Sequence, residues 1–378
     1  MTRIGLNLIY LVPGETGGTE TYACELIRAL VDAASDIQFT AFVSREAAAT
    51  TDAPWKNLIP SVEVPVNAAN RLEWVRGEQL QLPRLAAGAR VDLVHSLANT
   101  APLRGRFRRV VTIHDLHHRL VPEAHLGMLA TGMRVLVSAA ARRSDRIITP
   151  SATTAADVQR LLHIKSSKID VVPEGIGAEQ RVAPAPEADV RGWLGAGDRP
   201  IVLSVSAKRP HKNLARLISA VADIPPERRP LLVVPGYSTP YEHELQRQVA
   251  ALGIEEDIRL IGWIEPERLE GLYAAATCLV CASLHEGFGL PVLEAMARGL
   301  PVACSSGGAL SEVAGDAALL FDPQSVPQIT AAIDRLMSDT QETDRLRGAG
   351  EARAAAFTWA ATATGTLGSY EAALRAKP

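Results

Sequence analysis

The chain has 378 residues, of which 47% are hydrophobic and 21% charged, and 39 cations stand against 42 acids for a formal charge of −3. At about 100–200 residues per domain that is two domains with room for a third, and the apolar content excludes global disorder. The near-neutral balance argues against a nucleic-acid partner, and no apolar run reaches the roughly 18 residues needed to span a bilayer. The start, Met1-Thr2-Arg3-Ile4, runs directly into a strand pattern with no signal-peptide core, so a cytoplasmic protein is expected. Four cysteines are too few for a disulfide framework.

The first strand is expected over residues 4–12. A helix follows over 19–31, with Ala23, Leu26, Ile27 and Leu30 on one face at the amphipathic spacing. Further strands are expected at 37–43, 62–66, 91–95, 110–114, 146–150 and 169–172, and helices at 71–87, 123–142 and 153–162. Near-continuous apolar strands alternating with helices predict a parallel sheet covered on both faces. The pattern stops over 175–200, a Gly-, Pro- and Ala-rich stretch that reads as a linker with one short helix near 188–194. A second series then begins. Its expected strands are 201–205, 231–234, 258–261, 278–282, 302–304 and 318–321, and its helices are 214–221, 241–252, 266–275, 291–297 and 328–337. Two doubly wound α/β domains facing a central cleft are therefore expected, with ligands at the carboxyl ends of the strands.

Four loops after strands carry the chemistry. Gly14-Glu15-Thr16-Gly17-Gly18 allows close backbone approach, and the helix start beyond it offers free N–H groups. It matches neither the dinucleotide fingerprint nor the P-loop. His114-Asp115-Leu116-His117-His118, with Glu123 and His125 beyond, is rich in imidazole. It lacks a defined third ligand for zinc, so a polar loop is the better reading, with His114 and Asp115 best placed to act on a substrate. Lys208-Arg209-Pro210-His211-Lys212-Asn213 holds three cations and no acid at a strand end, a setting for a diphosphate-sized anion. Ser283 to Glu294 is the sharpest signal. Pro291 suits the first turn of a helix, so the amides of Phe288, Gly289 and Leu290 form an anion site. Glu286 and Glu294 flank that turn and suit hydrogen bonds from two separate sets of hydroxyls.

The segment HEGFGLPVLEAMARGLPVA, read from His285, resembles the retaining glycosyltransferases of family 4, with Glu286 and Glu294 as the E-x(7)-E pair. The continuation GALSEVAGDAALLFDP from Gly308 is also similar, most of all to the bacterial mannosyltransferase-like branch of surface-polysaccharide assembly. The resemblance implies a GT-B fold, with an acceptor-binding domain over 1–180 and a donor-binding domain over 190–356. It also implies that a terminal helix within 357–378 packs back on the first. It implies Glu294 on the nucleotide ribose, Glu286 on the donor sugar, and Lys212 on the diphosphate with the amides of Phe288–Leu290. Gly17, Gly18 and His114 fall near sugar and acceptor, and Gly236 near the base. The position that often holds a phosphate-binding Arg is Ala207 here, so Lys208 or Arg209 would substitute.

The reaction implied is retaining transfer of a hexose-type sugar from a GDP- or UDP-sugar to a glycan, lipid-linked or small-molecule acceptor. No cofactor and no metal are expected, since the sequence contains no Asp-x-Asp. The alternatives are a sugar-nucleotide epimerase of the same architecture and a non-catalytic sugar-nucleotide-binding module. Cys278-x-x-Cys281 lies in an apolar strand and reads as core. The basic run Arg104–Arg109 is a solvated loop or a peripheral contact with an anionic membrane.

Overall fold

The computed structural model describes residues 1–14, 16–50, 53–120, 128–176 and 182–376. Glu15, Glu123 and His125 lie outside the described residues. The chain divides into two compact units. The first takes the described residues of Met1–Leu120, His125–Gly175 and Thr358–Pro378, and the second those of Ile176–Phe357.

The first unit holds seven strands: β1 (Thr2–Leu8), β2 (Ile37–Val43), β3 (Ser61–Glu63), β4 (Leu93–Ser96), β5 (Arg108–Thr112), β6 (Arg146–Thr149) and β7 (Ile169–Val171). They pair in the order β3-β2-β1-β4-β5-β6-β7, every pairing parallel. The strand order therefore reverses between β1 and β4. The last helix, Trp359–Arg375, belongs to this unit, and its Trp359, Ala363, Tyr370 and Ala373 sit in the same core as β1 and the helix Gly18–Ala33. Gly175 permits that docking, because a Cβ there would lie 2.3 Å from the Trp359 backbone nitrogen.

The second unit holds six strands: β8 (Ile201–Leu203), β9 (Leu231–Pro235), β10 (Ile258–Ile261), β11 (Cys278–Cys281), β12 (Val302–Ser305) and β13 (Leu319–Phe321). Their order is β10-β9-β8-β11-β12-β13, again all parallel, with the reversal between β8 and β11. Ile201 and Leu203 face one apolar cluster and Val202 the other, so β8 buries both faces, as a helix-covered parallel strand must. Each such fully buried aliphatic side chain contributes about 1.5–3 kcal/mol.

Besides displaced strand ends and short unexpected helices at Arg45–Ala49 and Leu310–Ala314, two larger features depart from the sequence expectation. The helix expected over 71–87 is split into Arg71–Arg76 and Leu82–Gly88 by a π-turn at Gly77–Gln81, which carries the Glu78 side chain inward. The helix Thr340–Ala354 was not expected, because only Leu346, Gly350 and Ala354 of its residues are buried and no apolar stripe marks it. Among the described residues no helix is long and apolar enough to cross a membrane.

Candidate active site

In the second unit the two loops singled out above follow β8 and β11, the neighbouring strands at the reversal, where open α/β sheets bind ligands. Leu284 N–H donates to His211 O at 2.9 Å, joining the loops. Asn213, at φ 58°, secures them further through its amide, which donates to Ala282 O and Pro323 O at 2.9 and 2.7 Å. That geometry ends the Pro210–Lys212 turn and presents Lys212, whose Nζ lies 2.6 Å from Glu286 Oε1. Ser283 Oγ donates to the same oxygen at 2.6 Å. A water-sized recess of about 10 Å³ opens beside Ser206, Lys212, Ser283 and Glu286.

Past Glu286 the chain turns at Gly289, φ 119°, where a Cβ would lie 2.6 Å from Leu310 Cδ2. The helix Leu290–Met296 starts there, with Pro291 in its first turn. The Phe288 ring is buried edge-on to Phe357, so Phe288 can offer a ligand only its backbone. The N–H groups of Phe288, Gly289 and Leu290 donate to no protein group among the described residues, as befits a helix start. Gly308 approaches from the opposite side at φ 64°; a Cβ on it would lie 2.8 Å from Glu286 N. Glu294 projects from this helix, and its Oε2 accepts from Tyr273 OH at 2.7 Å. The Tyr273 ring is in turn covered by the Arg298 guanidinium, 4.5 Å from its centroid and paired with Glu270. Glu286 and Glu294 thus have separate polar partners.

Two of the expected donor contacts are turned elsewhere. Lys208 is fully buried, and its Nζ donates to Gly236 O at 2.6 Å and to Ile261 O. Burial draws its pKa down to about 8, with Glu242 opposing. Lys208 is therefore a clamp between the loops after β9 and β10, and of the two substitutes for the missing arginine only exposed Arg209 is turned to solvent. Gly236 N–H donates to Ile261 O and Gly262 O, both at 3.2 Å. Its φ of 139° and the 2.2 Å gap between a notional Cβ and Ser206 O explain the glycine by close packing.

In the first unit Gly17, at φ 68°, caps the helix Gly18–Ala33, and its carbonyl accepts from Glu20 N–H at 2.8 Å. His114 follows β5. Its Nδ1 lies 3.0 Å from Glu174 Oε1 and its Nε2 2.8 Å from Leu97 O. Burial alone would lower the His114 pKa, but the Glu174 carboxylate and the Leu97 carbonyl raise it above the ordinary value. Asp115 does not touch His114; it accepts from His117 N–H at 3.0 Å and faces His117 Nδ1 at 3.3 Å. Burial opposes its ionisation, yet His117 holds the carboxyl well below the usual range. His114 and Asp115, both expected to face a substrate, thus belong to two separate pairs, because adjacent loop residues turn to different partners. Sequence reasoning assigns no role to Glu174, Tyr273, Ser283 or Gly308: Ser283 and Gly308 lie inside the marked segments, while Tyr273 and Glu174 carry no local motif.

Residues 187–353 match the model for glycosyl transferases group 1, and residues 16–180 that for glycosyltransferase family 4. The O-antigen chain mannosyltransferase B of Escherichia coli is 31% identical over 276 residues, 70% of each chain. Sucrose-phosphate synthase from Thermosynechococcus elongatus has a similar fold, with a TM-score of 0.80, 23% identity and 98% of both chains covered. Anabaena HepE, solved with UDP and glucose, superposes with a TM-score of 0.77 at 21% identity, covering 98% of this chain and all of that one. The chain is a two-domain, Rossmann-like GT-B protein and belongs to the family of group 1 and family 4 glycosyltransferases.

Proposed function

We propose that the protein is a retaining glycosyltransferase that moves a hexose-type sugar from a GDP- or UDP-sugar to a hydroxyl of a glycan, lipid-linked or small-molecule acceptor. The observation that carries this reading is the join between the loops after β8 and β11. There Lys212, Glu286 and Ser283 meet beside the open amides of residues 288–290, with Glu294 further along the same helix. The mannosyltransferase relative and the UDP and glucose bound by HepE support a nucleotide-sugar donor.

In this reading Glu294 accepts from the ribose hydroxyls, and Glu286 takes up a sugar hydroxyl once a diphosphate competes for Lys212. Lys212, Arg209 and the amides stabilise the negative charge that grows on the departing phosphate, the work a metal does elsewhere, so transfer is expected to be metal-independent. The bond from the sugar anomeric carbon to phosphate oxygen breaks, and a bond to the acceptor oxygen forms on the same face. The acceptor's proton passes to the departing phosphate. The first unit is assigned acceptor binding. A peripheral contact with an anionic membrane is supported by Arg104, Arg142 and Arg143, which line a recess of about 390 Å³ and have no ion-pair partner among the described residues.

The test is transfer from a panel of nucleotide sugars to hydroxyl acceptors, with the anomer of the product read by NMR. Retention supports the reading; an inverted product or an epimerised donor overturns it. Within an active pair, Glu294→Ala should strip nucleotide affinity while Glu286→Ala mainly slows transfer.

A further inference from the structure

His114 is flanked on both ring nitrogens by hydrogen-bond acceptors. Leu97 O has no proton to give, so Nε2 must carry one, and it lies at 2.8 Å. On the other side Nδ1 meets the Glu174 carboxyl at 3.0 Å. One proton lies between those two atoms, and the hydrogen bond and negative charge of the neighbouring carboxylate hold it on the imidazole against the opposing effect of burial. With Nδ1 and Nε2 both protonated, the ring is an imidazolium. We infer that His114 is held as an imidazolium, with Glu174 as the positioning residue that keeps it so, and that it is therefore not a proton acceptor.

The surroundings agree. Glu174 is 4% exposed and His114 9%, so the pair is shielded from water and the interaction is weakly screened. Of the other groups that face His114, Asp115 adds negative charge that favours the cation. Tyr22 meets the ring edge-on at 4.7 Å between centroids, and its hydroxyl is engaged with Thr112 Oγ1 at 3.1 Å. His95 is a nearby imidazole that could compete as a cation. It is fully buried, bonded to Tyr370 OH and Thr112 Oγ1, and burial followed by the charge on His114 pushes its pKa down to about 3. The Thr154 hydroxyl donates to His114 O and fixes the backbone beneath the ring. A ring whose two N–H groups are both spent on the protein has no lone pair with which to take a proton from an acceptor hydroxyl. Within the glycosyl-transfer reading, on which this consequence rests, His114 is not the base of the reaction.

The charge state is read without any substrate. In the full chain with nitrogen-15-labelled histidine, the His114 resonances, identified by their loss in His114→Gln, should show both ring nitrogens protonated at neutral pH. The midpoint should lie above that of an ordinary histidine. Glu174→Gln, which keeps an acceptor but removes the charge, should lower the midpoint by about one pH unit or more. An unprotonated Nδ1 in the wild type at pH 7, or an unchanged midpoint in Glu174→Gln, would overturn the inference. Because no turnover enters the measurement, its failure would leave the assignment of transfer activity standing. Failure of that assignment would likewise leave the charge state intact.

Discussion

Glu78 is a carboxyl buried to 1% exposure, and among the described residues no cation pairs with it. Its Oε1 accepts from Asn7 Nδ2 at 3.0 Å and from Thr100 Oγ1 at 2.9 Å, and its Oε2 from Gln79 Nε2 at 3.0 Å. Burial outweighs these three bonds and raises its pKa from 4.5 to about 7. Between those two values the folded protein binds a proton that the unfolded chain has lost. The stabilisation is therefore complete below about pH 4.5 and disappears as the pH rises through 7. The span of about 2.5 units, at 1.36 kcal/mol each, amounts to about 3 kcal/mol. Glu78→Gln keeps the shape and removes the titration, at the cost of the bond from Gln79, about 1 kcal/mol. Urea denaturation of both proteins from pH 4.5 to 8 should show the variant less stable than wild type at the acid end and more stable at pH 8. Taking the difference cancels every other titrating group. Parallel stability curves would refute the reasoning, since they would mean that Glu78 ionises alike in the folded and unfolded states.

Tyr273→Phe should weaken nucleotide affinity about tenfold by releasing Glu294, with little change in the melting temperature, as read by calorimetric titration. Arg209→Ala should lower diphosphate affinity by a similar factor and leave the melting temperature alone. Lys208→Ala should instead lower the melting temperature by several degrees, because it removes a clamp between two backbone carbonyls. In sedimentation with phosphatidylglycerol vesicles, replacing Arg104, Arg142 and Arg143 by Gln should abolish binding that is seen at low salt and lost at high salt.

Much of the fold is legible in the sequence because both faces of each sheet are covered by helices. That burial leaves unbroken Val, Ile and Leu runs such as Ile201–Leu203 and Leu231–Val233, which no loop imitates. The helix Thr340–Ala354 escapes notice for the opposite reason, lying on the surface with polar residues on most of its sides. The glycine that opens the π-turn answers a tertiary contact, since a Cβ at Gly77 would approach Val66 Cγ1 to 2.3 Å. At the site, the twelve residues from Ser283 to Glu294 are readable as a unit because helix-start chemistry is local. The directions of Lys208 and Arg209 are not. Adjacent residues of an irregular loop have no period from which to infer that one ammonium turns inward and its neighbour stays exposed. Glu174 stands sixty residues from His114, and Tyr273 twenty-one from Glu294. The first pair is created by strand order, which brings the loops after β5 and β7 to one sheet edge, and the second by the contact of the helices Pro266–Ala275 and Leu290–Met296.

The central claim is that the loops after β8 and β11 hold a nucleoside diphosphate. Calorimetric titration of GDP and UDP into the wild-type chain and Glu294→Ala tests it most directly. Binding of at least one of the two nucleotides, weakened tenfold or more by the substitution, is the predicted result. Equal affinity in both proteins, or no binding of either nucleotide to the wild type, would contradict it.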